Sequence, residues 1–405
     1  MNGQFGEKMP DINLDKYKNL RREVDKGWIN LHPIQRGGIL PPETRETLLS
    51  FADGYSVCDY CIEGRVDLIR KPPIFDFASD VAKFLNMDEV RFTSGARHAQ
   101  SVVFKSIADP GDTIIIDSLA HYTTYIAAEL NGIKIVEVPH GGYPEFKVKT
   151  EEYAAKIEEV KRDTGKLPAA IFLTHVDYRY GNLADVAAVS KIAQQYDVPF
   201  ILNAAYSAGV MPVDGKKIGA DFLTCSGHKS WAASGPIGIL ATNYEFANRA
   251  FRTSTIKGPW SGRAFIKKEV CLYGCPPIFG APIATLMASF PHVVERVKHW
   301  DEEVEKVRWL VGELERIKDF RQLGERPRRH TLVSFETPSF HMIAKKHERR
   351  GFFLHEELKK RKISGIQPGL TKIIKLNTYG LSWDQLQQVA NAFHEIANAY
   401  GVEVG

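Results

Sequence analysis

Between about Asp88 and Asn243 the chain alternates short, continuously apolar runs with longer amphipathic stretches. The runs are Val90–Thr93, Thr113–Asp117, Ile133–Val138, Ala169–Thr174, Phe200–Asn203, Asp221–Thr224 and Gly238–Thr242. Segments between them, such as AQSVVFKSI, TTYIAAELNG, EEYAAKIEEVKR and DVAAVSKIAQQYD, carry helical periodicity. Apolarity that is continuous rather than alternating marks strands covered on both faces. The spacing therefore predicts βαβ units and a mostly parallel sheet. Right-handed crossovers place helices on both faces of it.

From Ala284 the texture changes. ATLMASFPHVVERVKHWDEEVEKVRWLVGELERI reads as a long helix interrupted at Pro291. A strand TLVSFET, a basic helix HEELKKRK, a strand IIKLNTY and a final helix SWDQLQQVANAFHEIANAY follow. The expected organisation is an N-terminal arm (1–50), a large α/β domain (51–283) and a smaller α+β domain (284–405).

Composition narrows the class. With 405 residues, 44% hydrophobic and 25% charged, the chain is neither disordered nor fibrous. The first twenty residues hold no apolar core of a secretory signal, and no run approaches the ~18–20 apolar residues of a spanning helix. The expectation is a soluble, cytoplasmic protein with no membrane partner. Net charge is +4, but Arg321–Lys372 holds 13 basic and 5 acidic side chains, a local +8. Such a block is either a polyanion-binding surface or a solvated helix face. Five cysteines, an odd number, argue against a disulfide framework. Cys58 and Cys61 form one C-x-x-C, which by itself suits a redox or metal site or two small buried side chains.

In open α/β sheets, ligands bind beyond the carboxyl ends of the strands. After Thr93 come Ser94–Arg97 and a helix start, whose free N–H groups attract phosphate. After Asp117 come His121 and Tyr122. Asn203 ends the next run considered and Tyr206 follows it; Ser226, His228 and Lys229 follow Thr224. A lysine flanked by Ser and His, facing a phosphate nest and a stackable imidazole, suits a pyridoxal phosphate Schiff base.

The set S-G-A-R, H-Y, N-A-A-Y and S-G-H-K-S resembles the fold type I pyridoxal phosphate enzymes, on the cysteine desulfurase and selenocysteine lyase side. Gly54–Cys61, Ser226–Gly238, Thr285–Val293 and Pro368–Ser382 resemble a narrower family, the archaeal O-phosphoseryl-tRNA:cysteinyl-tRNA synthases. That resemblance runs from about Asn30 to the C-terminus. It implies an aspartate aminotransferase-like fold with Lys229 as the Schiff-base lysine. Ala96 and Arg97 would touch the cofactor or the substrate phosphate, with Tyr122 beside that phosphate. His121 would stack on the ring, Asn203 would face the pyridine nitrogen, and Ser226, Gly227 and His228 would hold the cofactor phosphate. Cys58, Cys61 and Cys275 would be the essential thiols, with Cys271 the alternative third member, carrying a persulfide, an iron–sulfur cluster or both. Cys225 reads as a packed residue.

The implied substrate is O-phosphoserine esterified to tRNA(Cys), converted to cysteinyl-tRNA(Cys) by replacing phosphate with sulfur. The implied partners are a second copy of the chain and the phosphoseryl-tRNA synthetase. Generic members of the wider group hold Asp and Gln where this chain has Asn203 and Tyr206. A neutral amide makes a weaker electron sink, which the good leaving group phosphate tolerates. The rivals are a cysteine desulfurase and a non-catalytic iron–sulfur or tRNA-binding protein. The position of the cysteines counts against the first, because none follows Cys275; the intact Lys229 site counts against the second.

Overall fold

The computed structural model describes residues 27–53, 72–264 and 279–405, together with Asn13, Asp15, Lys18 and Val57. Cys58, Cys61, Cys271 and Cys275 lie outside the described residues.

All seven apolar runs join one sheet. Its strands are β1 (Glu89–Thr93), β2 (Thr113–Asp117), β3 (Lys134–Val138), β4 (Ala170–Thr174), β5 (Phe200–Asn203), β6 (Phe222–Ser226) and β7 (Gly238–Thr242). Their spatial order is β1-β7-β6-β5-β4-β2-β3, with β7 antiparallel to both neighbours and the remaining pairs parallel. The carboxyl ends of β1, β2, β4, β5 and β6 therefore share one edge.

Alternate residues of a single strand enter different cores. Ile114 and Ile116 of β2 pack with Val103 and Phe104 of helix α1 (Ala96–Ile107), whereas Ile115 packs with Ile157 and Val160 on the opposite face. Each such burial contributes roughly 1.5–3 kcal/mol, which favours apolar side chains at these positions.

A second core lies under a three-stranded antiparallel sheet of β8 (Arg321–Leu323), β9 (Leu332–Glu336) and β10 (Ile373–Asn377), ordered β10-β9-β8. Val333, Phe335, Leu376, Phe353 and Phe393 meet there. The expected long helix is present but breaks elsewhere. It runs without interruption through Pro291 from Gly280 to Arg296 and breaks at a 3-10 turn, Val297–His299. Pro291 is exposed and Met287, four residues before it, is half-exposed, so the carbonyl that loses its donor sits next to solvent.

The basic sequence ERPRRH behaves differently from a surface block. Arg328 is 1% exposed and donates to the carbonyl oxygens of Gly181 and Leu332. Arg329 pairs with Glu325 and donates to Leu183 O, while Glu325 accepts from Leu183 N–H at 3.1 Å. These residues fasten the second sheet to the turn that follows β4. Arg329 and Arg326 are exposed but paired with Glu325 and Glu315, and an exposed cluster of charge lies further on, at Lys345, Lys346, Arg349 and Arg350.

Candidate active site

Lys229 sits in the four-residue helix α3 (Gly227–Ser230), which follows β6 directly. The surrounding backbone is packed so closely that glycine is required. A Cβ on Gly227 would lie 2.4 Å from Ile237 Cγ2, and one on Gly38 would lie 2.0 Å from His228 O. The 3-10 turn Arg36–Gly38 thus presses against the lysine segment. Ser230 Oγ donates to Ala205 O at 2.8 Å, tying α3 to the turn after β5.

Lys229 Nζ lies 4.5 Å from the centroid of the Tyr206 ring. Burial, aided by the charge of Lys375, lowers its pKa to about 8. Among the described residues no carboxylate pairs with it. His121 caps helix α2 (Tyr122–Leu130), its Nδ1 accepting from Thr123 N–H at 3.3 Å. That contact leaves the other ring nitrogen, Nε2, to carry the proton. Burial first, then Lys229, Arg97 and Lys375, lower the His121 pKa to about 4, so the ring is neutral at pH 7. The same four groups therefore share one small volume.

Arg97, in the first turn of α1, is exposed; its guanidinium lies 5.5 Å from the Tyr122 ring centroid and donates to Tyr122 Oη at 3.4 Å. Ala96 begins α1 after Gly95, whose φ of 127° is the left-handed region that glycine alone adopts readily. Asn203 ends β5 in register with Thr174 and Thr224, and its Oδ1 accepts from Ala205 N–H at 3.2 Å. Among the described residues the buried hydroxyl of Thr224 has no hydrogen-bond partner. Ser226 Oγ lies 3.4 Å from His228 Nδ1. Every described residue singled out from the sequence thus falls at the carboxyl edge of the sheet. Cys225 is fully buried in β6.

Four neighbours were not singled out. Tyr178 stands edge-on to His121 with ring centroids 4.8 Å apart, and Arg179 follows it. His175 Nδ1 lies 2.8 Å from Ser207 Oγ in the floor of the site. All three follow β4, and the strand-end rule, applied to that strand as to the others, points to them. Lys375 comes from β10 and donates to Tyr178 O at 2.7 Å. No strand-end signal marks it, because it lies within a strand of the other sheet.

Known proteins resemble this chain over nearly its whole length. A family profile described as O-phosphoseryl-tRNA(Sec) selenium transferase, SepSecS, matches residues 101–404. The chain is 60% identical over 94% of its length to O-phospho-L-seryl-tRNA:Cys-tRNA synthase 2 of Archaeoglobus fulgidus, of which it covers 96%. It is 54% identical over 97% of its length to the synthase of Methanopyrus kandleri, of which it covers 100%. Among solved structures, a SepCysS–SepCysE N-terminal domain complex matches with TM-score 0.86 at 50% identity, covering 96% of this chain and 100% of that one. An apo cysteine desulfurase from Thermococcus onnurineus shares the fold, with TM-score 0.68 at 19% identity, covering 92% of this chain and 95% of that one. This chain belongs to the family of the O-phospho-L-seryl-tRNA:Cys-tRNA synthases.

Proposed function

We propose that the protein converts O-phosphoseryl-tRNA(Cys) to cysteinyl-tRNA(Cys) by pyridoxal phosphate-dependent replacement of the phosphate with sulfur. The observation that carries this reading is Lys229, a buried amine of lowered pKa near His121 and Arg97 with no carboxylate partner among the described residues. Such a set suits an aldehyde cofactor bearing a phosphate. Lys229 would hold it, the neutral His121 ring would cover it, and Asn203 would meet its ring nitrogen. Ser226, Gly227 and His228, with the α1 start at Ala96, would receive its phosphate. When bound, the cofactor supplies an electron sink for charge developing at the substrate α-carbon.

The chain's own residues do the remainder. Lys229, neutral above about pH 8, removes the α-proton. Arg97 and Tyr122 hold the substrate phosphate by charge-assisted hydrogen bonds. The β C–O bond breaks with its electron pair leaving on phosphate, and a sulfur nucleophile forms the C–S bond. Of Cys58, Cys61 and Cys275, one carries that sulfur as a persulfide whose outer sulfur forms the C–S bond. A second thiol of the set then breaks the S–S bond, freeing the product thiol and leaving a Cys–Cys disulfide that an external dithiol reduces. Alternatively the three support the sulfur with an iron–sulfur cluster. A homodimer, and an association with the phosphoseryl-tRNA synthetase, belong to the same reading. Among the described residues no helix is long and apolar enough to cross a membrane.

The test is direct. Protein supplied with pyridoxal phosphate, phosphoseryl-tRNA(Cys) and sulfide should yield cysteinyl-tRNA, identified after deacylation. Release of sulfur from free cysteine, without product on tRNA, would favour the desulfurase reading and overturn this one.

A further inference from the structure

Lys375 is a cation that the site borrows from the second sheet. It is half-buried, its Nζ donates to Tyr178 O at 2.7 Å, and it lies 5.2 Å from the Tyr178 ring centroid. Its charge is felt at both Lys229 and His121. Among the described residues no carboxylate forms a salt bridge with it, although the charge of the buried Asp177 acts on it. An ammonium has three N–H donors, and one is used on Tyr178, so two remain for a substrate acceptor.

Lys375 also lines a cavity of about 1080 Å³ that adjoins the site. Arg179, Lys345, Arg350 and Lys372 line it as well, and none of its lining residues is Asp or Glu. A group attached beyond Lys375 therefore has a wide, cationic way out. A free amino acid needs no such exit.

Resting on the function proposed above, we propose that Lys375 is a specificity-determining residue that binds the acyl oxygen of the substrate in its esterified form. The chemistry of the two acyl groups separates them. A free carboxylate has two equivalent charged oxygens and is matched by the two-point fork of an arginine. An ester has a single strong acceptor, its carbonyl oxygen, and a point-like ammonium suits that. Lysine here thus favours the tRNA-linked substrate over free O-phosphoserine, while the cavity accepts the alcohol portion.

The experiment compares O-phosphoserine methyl ester with free O-phosphoserine in the cofactor-loaded protein and in its Lys375→Met and Lys375→Arg variants. Binding is read by calorimetry, and sulfide-dependent turnover is read in parallel. Loss of one hydrogen bond to a charged group predicts that Lys375→Met weakens methyl ester binding by roughly tenfold or more, seen in KM more than in kcat. Lys375→Arg should move the ester-to-free preference toward free O-phosphoserine by a similar factor. Cofactor content, read by absorbance, checks that Lys229 remains loaded. Equal losses for ester and free acid in both variants would overturn the proposal, leaving Lys375 only an electrostatic influence on Lys229. A wild-type protein that binds the ester but makes no cysteinyl-tRNA would instead count against the proposed function.

Discussion

The Lys229 ammonium rests over the face of Tyr206, 4.5 Å from the ring centroid, while the Tyr206 carbonyl lies 3.0 Å from His330 Nε2. A ring face attracts a cation, by ~0.5–2 kcal/mol, and so opposes the burial that neutralises it. Burial wins, with a pKa of about 8. Capture of pyridoxal phosphate by the cofactor-free protein should therefore accelerate with pH through a midpoint near 8, well below the ~10.4 of a free lysine. Tyr206→Leu keeps the burial and removes the ring, so the midpoint should fall further. Lys229→Ala should abolish both capture and turnover; stopped-flow absorbance reads all three.

Gly38 gives a test of how the lysine segment is held. A Cβ there would sit 2.0 Å from His228 O, closer than any side chain can approach backbone. Gly38→Ala must displace the turn or the helix carrying Lys229, at a strain of ~1–3 kcal/mol. Cofactor affinity should drop by about tenfold or more while far-ultraviolet circular dichroism stays unchanged. Fluorescence titration with pyridoxal phosphate is the measurement, and an unchanged Kd would show that the contact does not hold Lys229 in place.

Arg328 separates structural from nucleic-acid-binding charge. Its removal orphans two buried carbonyls, those of Gly181 and Leu332, so Arg328→Met should cost on the order of 3 kcal/mol in urea unfolding. The salt dependence of tRNA binding should not change, because the guanidinium never meets solvent. Charge reversal at the exposed Lys345 and Arg350 should do the opposite, sparing stability and lowering the slope of log K against log salt by about one per lost phosphate contact.

Local pattern carried the central sheet, because a strand buried on both faces is apolar along most of its length. The five inner strands, β2 and β4 to β7, are buried throughout, whereas the edge strands β1 and β3 carry the half-buried Glu89 and Arg91 and the exposed Lys134 and Glu137. It also carried most of the site, because a parallel sheet presents its strand ends along one edge. What sequence leaves hidden depends on contacts between distant segments. Lys375 lies about 150 positions beyond Lys229 and reaches the site only because β10 faces the turn after β4. RPRRH reads as surface charge until the carbonyls of Gly181, Leu183 and Leu332 are seen to surround it. Pro291 reads as a break, yet it falls on the exposed side of a helix whose other face is buried.

Two buried imidazoles should weaken the fold in acid. His175 and His330 have pKa values lowered to about 4 and about 3, in each case chiefly by burial. Both are neutral in the folded protein at pH 5, whereas the unfolded chain protonates them below ~6.5. The unfolded state therefore binds more protons, and stability falls as pH drops from ~6.5 toward 4. Each imidazole contributes a slope approaching about 1.4 kcal/mol per pH unit. Urea midpoints at pH 7.0 and 5.0 should differ accordingly, and His330→Asn should flatten the dependence. A midpoint independent of pH would mean that neither ring is buried in solution.

Cys225 is fully buried in β6, and burial pushes its pKa up, so it stays protonated and inert. On the proposed function, sulfur chemistry falls to the four remaining cysteines, Cys58, Cys61, Cys271 and Cys275. Mild alkylation of the folded protein should modify some of these and spare Cys225, as peptide mapping would show. Cys58→Ala and Cys61→Ala should each lose cysteinyl-tRNA formation yet retain bound cofactor, because Lys229 does not depend on them. Cys275→Ala should behave likewise, whereas Cys271→Ala should remain active. Cyanolysis of the sulfur-loaded protein distinguishes the two carriers, since a persulfide releases thiocyanate and a cluster shows iron and visible absorbance. Undiminished activity in both Cys58→Ala and Cys61→Ala would remove the C-x-x-C pair from the sulfur route altogether.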